Sequence, residues 1–221
     1  MAKAGLMTDV TQKLFAELKS TKEETRVRAA CELYDLMLLV SRDSPSEEFV
    51  EFYNAVSQRI AHLVVTGKEA NERIGGILAL DRLIDLDGVD VAQKITRFAG
   101  YLRSALRSNE DVVLVYAARS LGRLTKSGGA LTAELVESEI QSALEWLPSE
   151  RQESRRFAAV LVIRELAKVS PTLLYGFVTR IFELAWVVLR DPNALIRSTA
   201  AEAVGECFEI IVARDAQFGQ S

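Results

Sequence analysis

The sequence predicts an all-α solenoid of about five helical hairpins. Apolar residues recur at helical spacing along the chain, and a short pattern at the start of a helix recurs five times. In its clearest copy the turn Asp191–Pro192–Asn193 comes first, and Arg197 then leads to Ala200, Ala201 and Val204. Residues three, four and seven positions apart share one face of an α-helix, so a second helix can approach closely there.

The pattern starts at five positions, which we call the register positions: Arg26, Arg73, Leu114, Arg155 and Arg197. The small residues three positions later are Ala29, Gly76, Ala117, Ala158 and Ala200. The spacings between register positions are 47, 41, 41 and 42 residues. A period of this length in a helical sequence is typical of HEAT or armadillo repeats.

Each predicted repeat has an outer helix followed by an inner helix, and the inner helix carries the register position. The predicted repeats are 8–42, 45–86, 89–126, 131–168 and 170–213, which form one array over 1–213, followed by a disordered tail at 214–221. The array predicts that seven residues on the inner helices are buried: Leu80, Ala118, Leu121, Ala159, Val162, Ala200 and Val204.

The composition limits the classes of function. The chain has 221 residues, of which 49% are hydrophobic, and a net charge of −4, which argues against a nucleic-acid or anionic-membrane binder. No uncharged apolar run reaches the roughly 18 residues of a membrane span, and the N-terminus does not resemble a secretory signal. Cys31 and Cys207 are expected to be free thiols in a reducing compartment, which predicts a cytoplasmic protein.

No catalytic, cofactor-binding or metal-binding motif is present in the sequence. His62 is the one histidine, and a structural role is expected for it because no second ligand stands nearby at zinc spacing. The stretch Asp85–Asp90 does not place oxygen ligands at the spacing of a calcium loop. Phosphate-binding and protein-kinase motifs are missing as well. We therefore expect a protein without catalytic activity.

Two local features allow two interpretations each. Gly75 and Gly76 lie in the first turns of an inner helix, where they allow either close helix packing or a ligand approach or kink. Four arginines cluster near the fourth repeat: Arg151, Arg155, Arg156 and Arg164. The cluster favours a ladder of ion pairs in which each early arginine meets an acidic or amide group of a neighbouring turn, and the alternative is a site for an acidic partner.

The last repeat has more apolar positions than one hairpin can cover. The apolar residues of its outer helix are Leu173, Leu174, Phe177, Val178, Ile181, Phe182, Leu184, Trp186, Val187, Val188 and Leu189. Its inner helix adds Val204, Cys207, Phe208, Ile210 and Ile211. Exposed apolar patches often mark interfaces. We expect the isolated chain to self-associate through this end or to fray there first.

Several stretches resemble the extreme N-terminal HEAT repeats of the target-of-rapamycin (TOR) kinases. They are Lys19–Leu33, Ala70–Ile84, Ile95–Leu106, Leu131–Leu147 and Arg155–Ala167. The similarity extends over nearly the whole chain, from about Leu14 to Ala213, and it includes features outside the core such as Glu145-Trp146-Leu147. It is therefore more specific than a general likeness to HEAT repeats.

The resemblance implies a non-catalytic scaffold segment. TOR kinases are very long serine/threonine protein kinases that control growth in response to nutrients, and their kinase domain lies at the far C-terminal end. The implied partners are a raptor-like subunit, further HEAT repeats of the parent chain and a second TOR copy in a dimer. The family is cytoplasmic and associates peripherally with vacuolar or lysosomal membranes. Scaffold contacts are spread over surfaces, so no functional residue is carried over.

Two other functions stay open at this point. An independent HEAT adaptor of transport or phosphatase type would need polar capping helices at both ends, whereas the last repeat is still apolar. An enzyme with an unrecognised site would show a polar cleft with convergent carboxylates.

Overall fold

Every regular element that the structure describes is a helix. The computed structural model describes the backbone of residues 2–148 and 151–218 and the side chains of residues 9–148 and 151–216. The chain divides into two compact units, Met1–Ala105 and Leu106–Ser221. The predicted all-α class and the helical-repeat architecture are confirmed.

The first unit contains five helices. They are α1 (Ala2–Glu17), α2 (Glu23–Asp43), α3 (Ser46–Thr66), α4 (Ala70–Leu83) and α5 (Val91–Ala105). The helices α1 and α2 form one hairpin, and α3 and α4 form the next. The inner helix α4 packs against α2 and α3, so the two inner helices stack on each other. The core of this unit includes Leu33, Met37, Ile77, Leu80 and Phe98, all fully buried.

The described residues of the second unit form six α-helices and two short 3₁₀ turns. They are α6 (Asp111–Gly128), a 3₁₀ turn at Gly129–Thr132, α7 (Ala133–Trp146), α8 (Glu153–Val169), α9 (Pro171–Leu174), a 3₁₀ turn at Tyr175–Phe177, α10 (Val178–Leu189) and α11 (Ala194–Phe218). The inner helix α8 packs against α6 on one side, α11 on the other, and its hairpin partner α7. This unit therefore stacks three inner helices in a row.

Three features differ from the predicted repeat boundaries. The division between the units lies between Ala105 and Leu106, inside the predicted repeat 89–126. The outer part of the last repeat is interrupted by a 3₁₀ turn at Tyr175–Phe177. Helix α11 continues to Phe218, into the predicted tail at 214–221, and residues 219–221 lie outside the described part of the chain.

The small residues of the register pattern are buried. Ala29, Ala117 and Ala158 are fully buried, and Gly76 is buried as well. A Cβ atom on Gly76 would lie 2.8 Å from both Leu63 Cβ and Val64 Cγ2 on the hairpin partner α3. Real Cβ atoms do not approach that closely, so the interpretation of this glycine as a close-packing residue is confirmed.

Six of the seven predicted core residues are buried, and one is not. Leu80, Ala118, Leu121, Ala159, Val162 and Ala200 are all at most 1% exposed. Val204 is only half-buried, and its neighbour Ala201 is exposed. The buried stripe of α11 instead passes through Ile196, Ala200, Ala203 and Cys207. Val204 lies at a small cavity that residues of α8 and α10 also line, and these helices cover it only in part. Ala201 is not covered within the described residues.

One buried cation was missed by the sequence analysis. Lys94 on α5 is 7% exposed, and its Nζ donates to the carbonyl oxygens of Ile84 at 2.7 Å and Leu86 at 2.8 Å. These carbonyls follow the end of α4, where backbone acceptors lack helical partners. Burial lowers the pKa of Lys94, while the charges of Asp87 and Asp85 act in the opposite direction. The position of this lysine directly before the apolar Ile95 could have indicated its burial from the sequence.

Candidate interaction surface

The register arginines bind the turn that precedes their own helix. Three of them donate to backbone carbonyl oxygens five or six residues earlier, where the outer helix ends. The distances are 2.7 Å from Arg26 to Ser20, 3.0 Å from Arg26 to Thr21, 2.8 Å from Arg73 to Gly67, 2.7 Å from Arg197 to Asp191 and 2.9 Å from Arg197 to Pro192. Carbonyls in such turns have no helical donor, and a guanidinium offers several N–H groups in a fixed plane. We call this contact the turn clamp.

Leu114 departs from the turn clamp, and Arg155 makes other contacts within the described residues. The Arg155 Nε donates to the side-chain oxygen of Gln152 at 3.2 Å, and its guanidinium lies 5.0 Å from the Trp146 ring centroid. The residues six and five before Arg155, at 149 and 150, lie outside the described residues. Leu114 has no donor and is fully buried. The register position therefore serves two purposes, a clamp where it is arginine and a core contact where it is leucine.

Several arginines connect neighbouring hairpins through ion pairs or hydrogen bonds. In the first unit, Arg26 donates to an amide oxygen of the following hairpin, Asn71 Oδ1, at 3.4 Å. In the second unit the links are Arg156 Nε to Asp191 Oδ2 at 2.6 Å and Arg164 Nη1 to Glu202 Oε2 at 2.7 Å. The arrangement favours the ion-pair interpretation of the arginine cluster, and corrects which arginines carry it.

The pair formed by Arg156 and Asp191 is buried. The two side chains are 10% and 2% exposed. Burial alone would raise the pKa of Asp191, but hydrogen bonds from Arg156 and from the backbone N–H of Asn193 outweigh it and lower the pKa. The same hydrogen bond to Asp191 raises the pKa of Arg156. A buried pair of this kind is costly to break from one side, since the remaining charge loses its partner.

Several exposed apolar side chains among the described residues lie together on α10 and α11. We call this surface the C-terminal apolar face and define it by Phe182, Trp186, Val204, Phe208 and Val212. The Phe182 and Phe208 ring centroids are 4.8 Å apart, so the two helices present one continuous surface. Trp186 is 65% exposed and Phe208 is 54% exposed, whereas such large side chains are usually well covered.

The preceding hairpin shows what normally covers these positions. Forty-two residues before Phe182 and Trp186 stand Ile140 and Leu144 on α7, and both are buried. Forty-two residues before Val204 and Phe208 stand Val162 and Leu166 on α8, at 1% and 0% exposure. Helices α9, α10 and α11 pack over α7 and α8. The C-terminal apolar face therefore has the pattern of a stacking surface.

Nearly the whole chain is similar to a short part of several much longer protein kinases. The serine/threonine-protein kinase tor1 of Schizosaccharomyces pombe is 39% identical over 203 residues, which are 92% of this chain and 9% of that kinase. The kinase TOR2 of Saccharomyces cerevisiae is 39% identical over 217 residues, 94% of this chain and 9% of that kinase. The mTor kinase of Drosophila melanogaster is 32% identical over 209 residues, 94% of this chain and 8% of that kinase.

This chain is a homologue of one segment of the TOR protein kinases. It spans about 9% of the length of the first two relatives. No protein-family model matches the sequence. An engineered protein of known structure aligns with 91% of this chain and 97% of its own, at 16% identity and a TM-score of 0.36, a likeness too weak to bear on the fold.

The TOR-like segment shows no metal-binding cluster of His, Cys, Asp and Glu within the residues that the structure describes. His62 is exposed on α3, and its backbone carbonyl accepts a hydrogen bond from Thr66 Oγ1. Both cysteines are free thiols, and Cys207 lies in the core of the second unit. Burial raises the pKa of the Cys207 thiol to about 12, with Glu206 acting in the same direction. The thiolate that would react is therefore disfavoured there.

One stretch of the TOR-like segment is long and apolar enough to cross a membrane by length and composition alone. It is Pro171–Leu189, with a mean hydropathy of 1.5 and about a quarter of its residues buried. It contains the charged residues Arg180 and Glu183 and the 3₁₀ turn between α9 and α10. Core helices share this length and composition, so the finding does not favour a membrane role over a packing role.

Proposed function

We propose that this chain is a non-catalytic scaffold segment of a TOR protein kinase, which holds other proteins in a complex that signals nutrient supply and growth. The observation that carries the proposal is the match of nearly the whole chain to one short segment of kinases about eleven times longer. Stacked helical hairpins support it, because they offer extended surfaces for protein contacts.

The proposed partners are proteins: a raptor-type subunit, further HEAT repeats of the parent chain and a second TOR copy. The proposed location is the cytoplasm. The C-terminal apolar face supports a role in assembly, because a large exposed apolar patch usually marks an interface. The charge balance of −4 gives no support to nucleic-acid binding.

A capture experiment from native cytosol tests the scaffold function. The full chain is immobilised through a C-terminal tag, and bound proteins are identified by mass spectrometry. We expect a raptor-type subunit, confirmed by reciprocal capture, and we expect it to be absent when the bait is heat-unfolded. A folded bait that returns transport or phosphatase subunits in place of TOR-complex subunits would contradict the proposal and favour an independent adaptor.

A phosphotransfer assay tests the non-catalytic part of the proposal. The chain carries neither the phosphate-cradling loop nor the metal-binding carboxylates on which phosphoryl transfer depends. We expect no transfer of labelled phosphate from ATP to a generic protein substrate above a buffer control. Activity that survives repurification and is lost on unfolding would count against it.

A further inference from the structure

Gly205 stands in the middle of α11 without a local reason. Glycine in a helix interior costs about 1 kcal/mol relative to alanine, because it loses more backbone freedom on folding. A Cβ atom built on Gly205 meets nothing within 4 Å. Gly205 is exposed, and it lies one residue from Val204 and three from Phe208 on the C-terminal apolar face. Within the described residues, nothing uses the space that this glycine leaves.

A second glycine, at the same position of another repeat, allows a close contact between two helices. Gly122 lies eight residues after the register position Leu114, as Gly205 lies eight residues after Arg197. A Cβ atom on Gly122 would be 3.2 Å from Glu165 Cβ on α8. The next inner helix of the stack therefore crosses α6 at this glycine, and any larger residue would push the two helices apart.

The neighbours of the two glycines also correspond. Four, seven and eleven residues after Leu114 stand Ala118, Leu121 and Thr125, which are 0%, 0% and 2% exposed on α6, a helix that packs against α8. The equivalent residues of α11 are Ala201, Val204 and Phe208, which are exposed or half-exposed. Helix α11 thus repeats the small-residue crossing of α6 but lacks a helix upon it.

We propose that the inner helix of a following helical hairpin of the parent chain crosses α11 at Gly205 and covers the C-terminal apolar face. This inference rests on the proposed function, in which the chain is one segment of a longer scaffold. The length of the relatives supports this occupant, since the chain accounts for 9% of the S. pombe kinase and the repeat period is about 42 residues.

The proposal predicts that one substitution has opposite effects on stability in a shorter and a longer chain. Gly205→Leu is made in the 221-residue chain and in the chain extended by the roughly 45 residues that its own gene encodes next. In the shorter chain we expect the urea midpoint to stay or rise, because leucine is the better helix former and its Cβ meets nothing. In the extended chain we expect the unfolding constant to rise about tenfold or more, because the leucine obstructs the crossing.

Two matched variants control this experiment. Gly100→Leu, on α5, also has an open Cβ position, and should change both chains alike. Gly122→Leu should destabilise both chains, because its crossing helix α8 is present in each. Hydrogen exchange then reports whether the extension protects α11.

Several results would overturn the proposal. A gene that ends at residue 221 would remove the occupant. An unchanged effect of Gly205→Leu in the extended chain would show that no helix crosses there. If Gly205→Leu instead weakens a dimer of the shorter chain and the extension leaves that dimer intact, the occupant is a second copy. These measurements do not depend on capture of a raptor-type subunit. The capture experiment tests the proposed function, and these measurements test the helix crossing at Gly205 separately.

Discussion

The backbone of Gly75 on α4 lies directly against the carbonyl group of Leu18, just after α1. A Cβ atom on Gly75 would be 2.7 Å from that carbonyl carbon and closer still to its oxygen. Gly75→Ala should therefore destabilise the chain by about 2 kcal/mol or more, because neither backbone can move without disturbing the α2–α4 stack. Urea unfolding monitored by circular dichroism measures the change.

Gly100→Ala is the matched control for Gly75→Ala. Gly100 lies within α5, and a Cβ atom there would meet nothing within 4 Å. The control should stabilise the chain by up to about 1 kcal/mol through helix propensity. Two variants with similar midpoints would refute the close-approach account.

Acid sensitivity should depend on Asp191. Its ordinary pKa of 3.8 is lowered in the folded chain, despite burial, by the hydrogen bonds from Arg156 and the Asn193 N–H. The stability that this group contributes is therefore fully present above its unfolded pKa and is lost as the pH falls below about 4 through the folded pKa. Asp191→Asn should flatten that part of a plot of unfolding free energy against pH.

At neutral pH, Asp191→Asn should cost roughly 3 kcal/mol, because the buried Arg156 loses the carboxylate that it contacts at 2.6 Å. Exposed Asp215→Asn serves as the control and should leave both the neutral stability and the acid limb unchanged. An acid limb that persists in Asp191→Asn would locate the acid sensitivity elsewhere.

The turn clamp predicts a local loss when its arginine is removed. Arg197→Met keeps most of the aliphatic side chain but leaves the carbonyl oxygens of Asp191 and Pro192 without this donor. We expect a loss of about 1–2 kcal/mol and faster hydrogen exchange at the start of α11. Arg180→Met, on the exposed side of α10, should have little effect on either. Equal effects of the two variants would show that the clamp contributes no more than an ordinary surface arginine.

A charge at a stacking position should disrupt the second unit. Ala159 is fully buried on α8. Ala159→Arg should destabilise the chain by several kcal/mol, since the side chain is too large for the contact and its charge would be buried. Ala213→Arg, at an exposed position of α11, should be nearly neutral. A normal urea midpoint for Ala159→Arg would contradict the stacking of α8 between α6 and α11.

The isolated chain should associate through the C-terminal apolar face. Light scattering should give an apparent mass that rises with concentration, because Trp186, Phe208 and Val212 are each more than half exposed. Phe208→Glu should suppress the rise, while Val112→Glu, at an exposed position of α6, should not. A chain that stays monomeric at all concentrations would show that this face is tolerated in water.

The repeat pattern was sufficient to predict that the hairpins stack. The small residues three positions after each register residue mark the face on which another helix can approach closely. Helix ends were harder to predict: α11 continues past Ala213 to Phe218, although no strong signal marks its end. The exposure of Val204 could not be predicted from its own repeat, since burial there depends on a helix outside the pattern. The pairing of Arg156 with Asp191 was missed because the partners are 35 residues apart and belong to different hairpins.

The turn clamp joins residues five and six positions apart, so a stretch of DNA that encodes one hairpin also encodes the clamp for that hairpin. A duplication or deletion of one repeat in the gene would carry the clamp with it intact, and only the stacking surfaces would need to be matched again by later substitutions. Leu114 shows that the position can also leave the clamp and join the core. Arrays of this type can therefore gain or lose one hairpin at a time during evolution, because each hairpin brings its own hydrogen bonds for the turn.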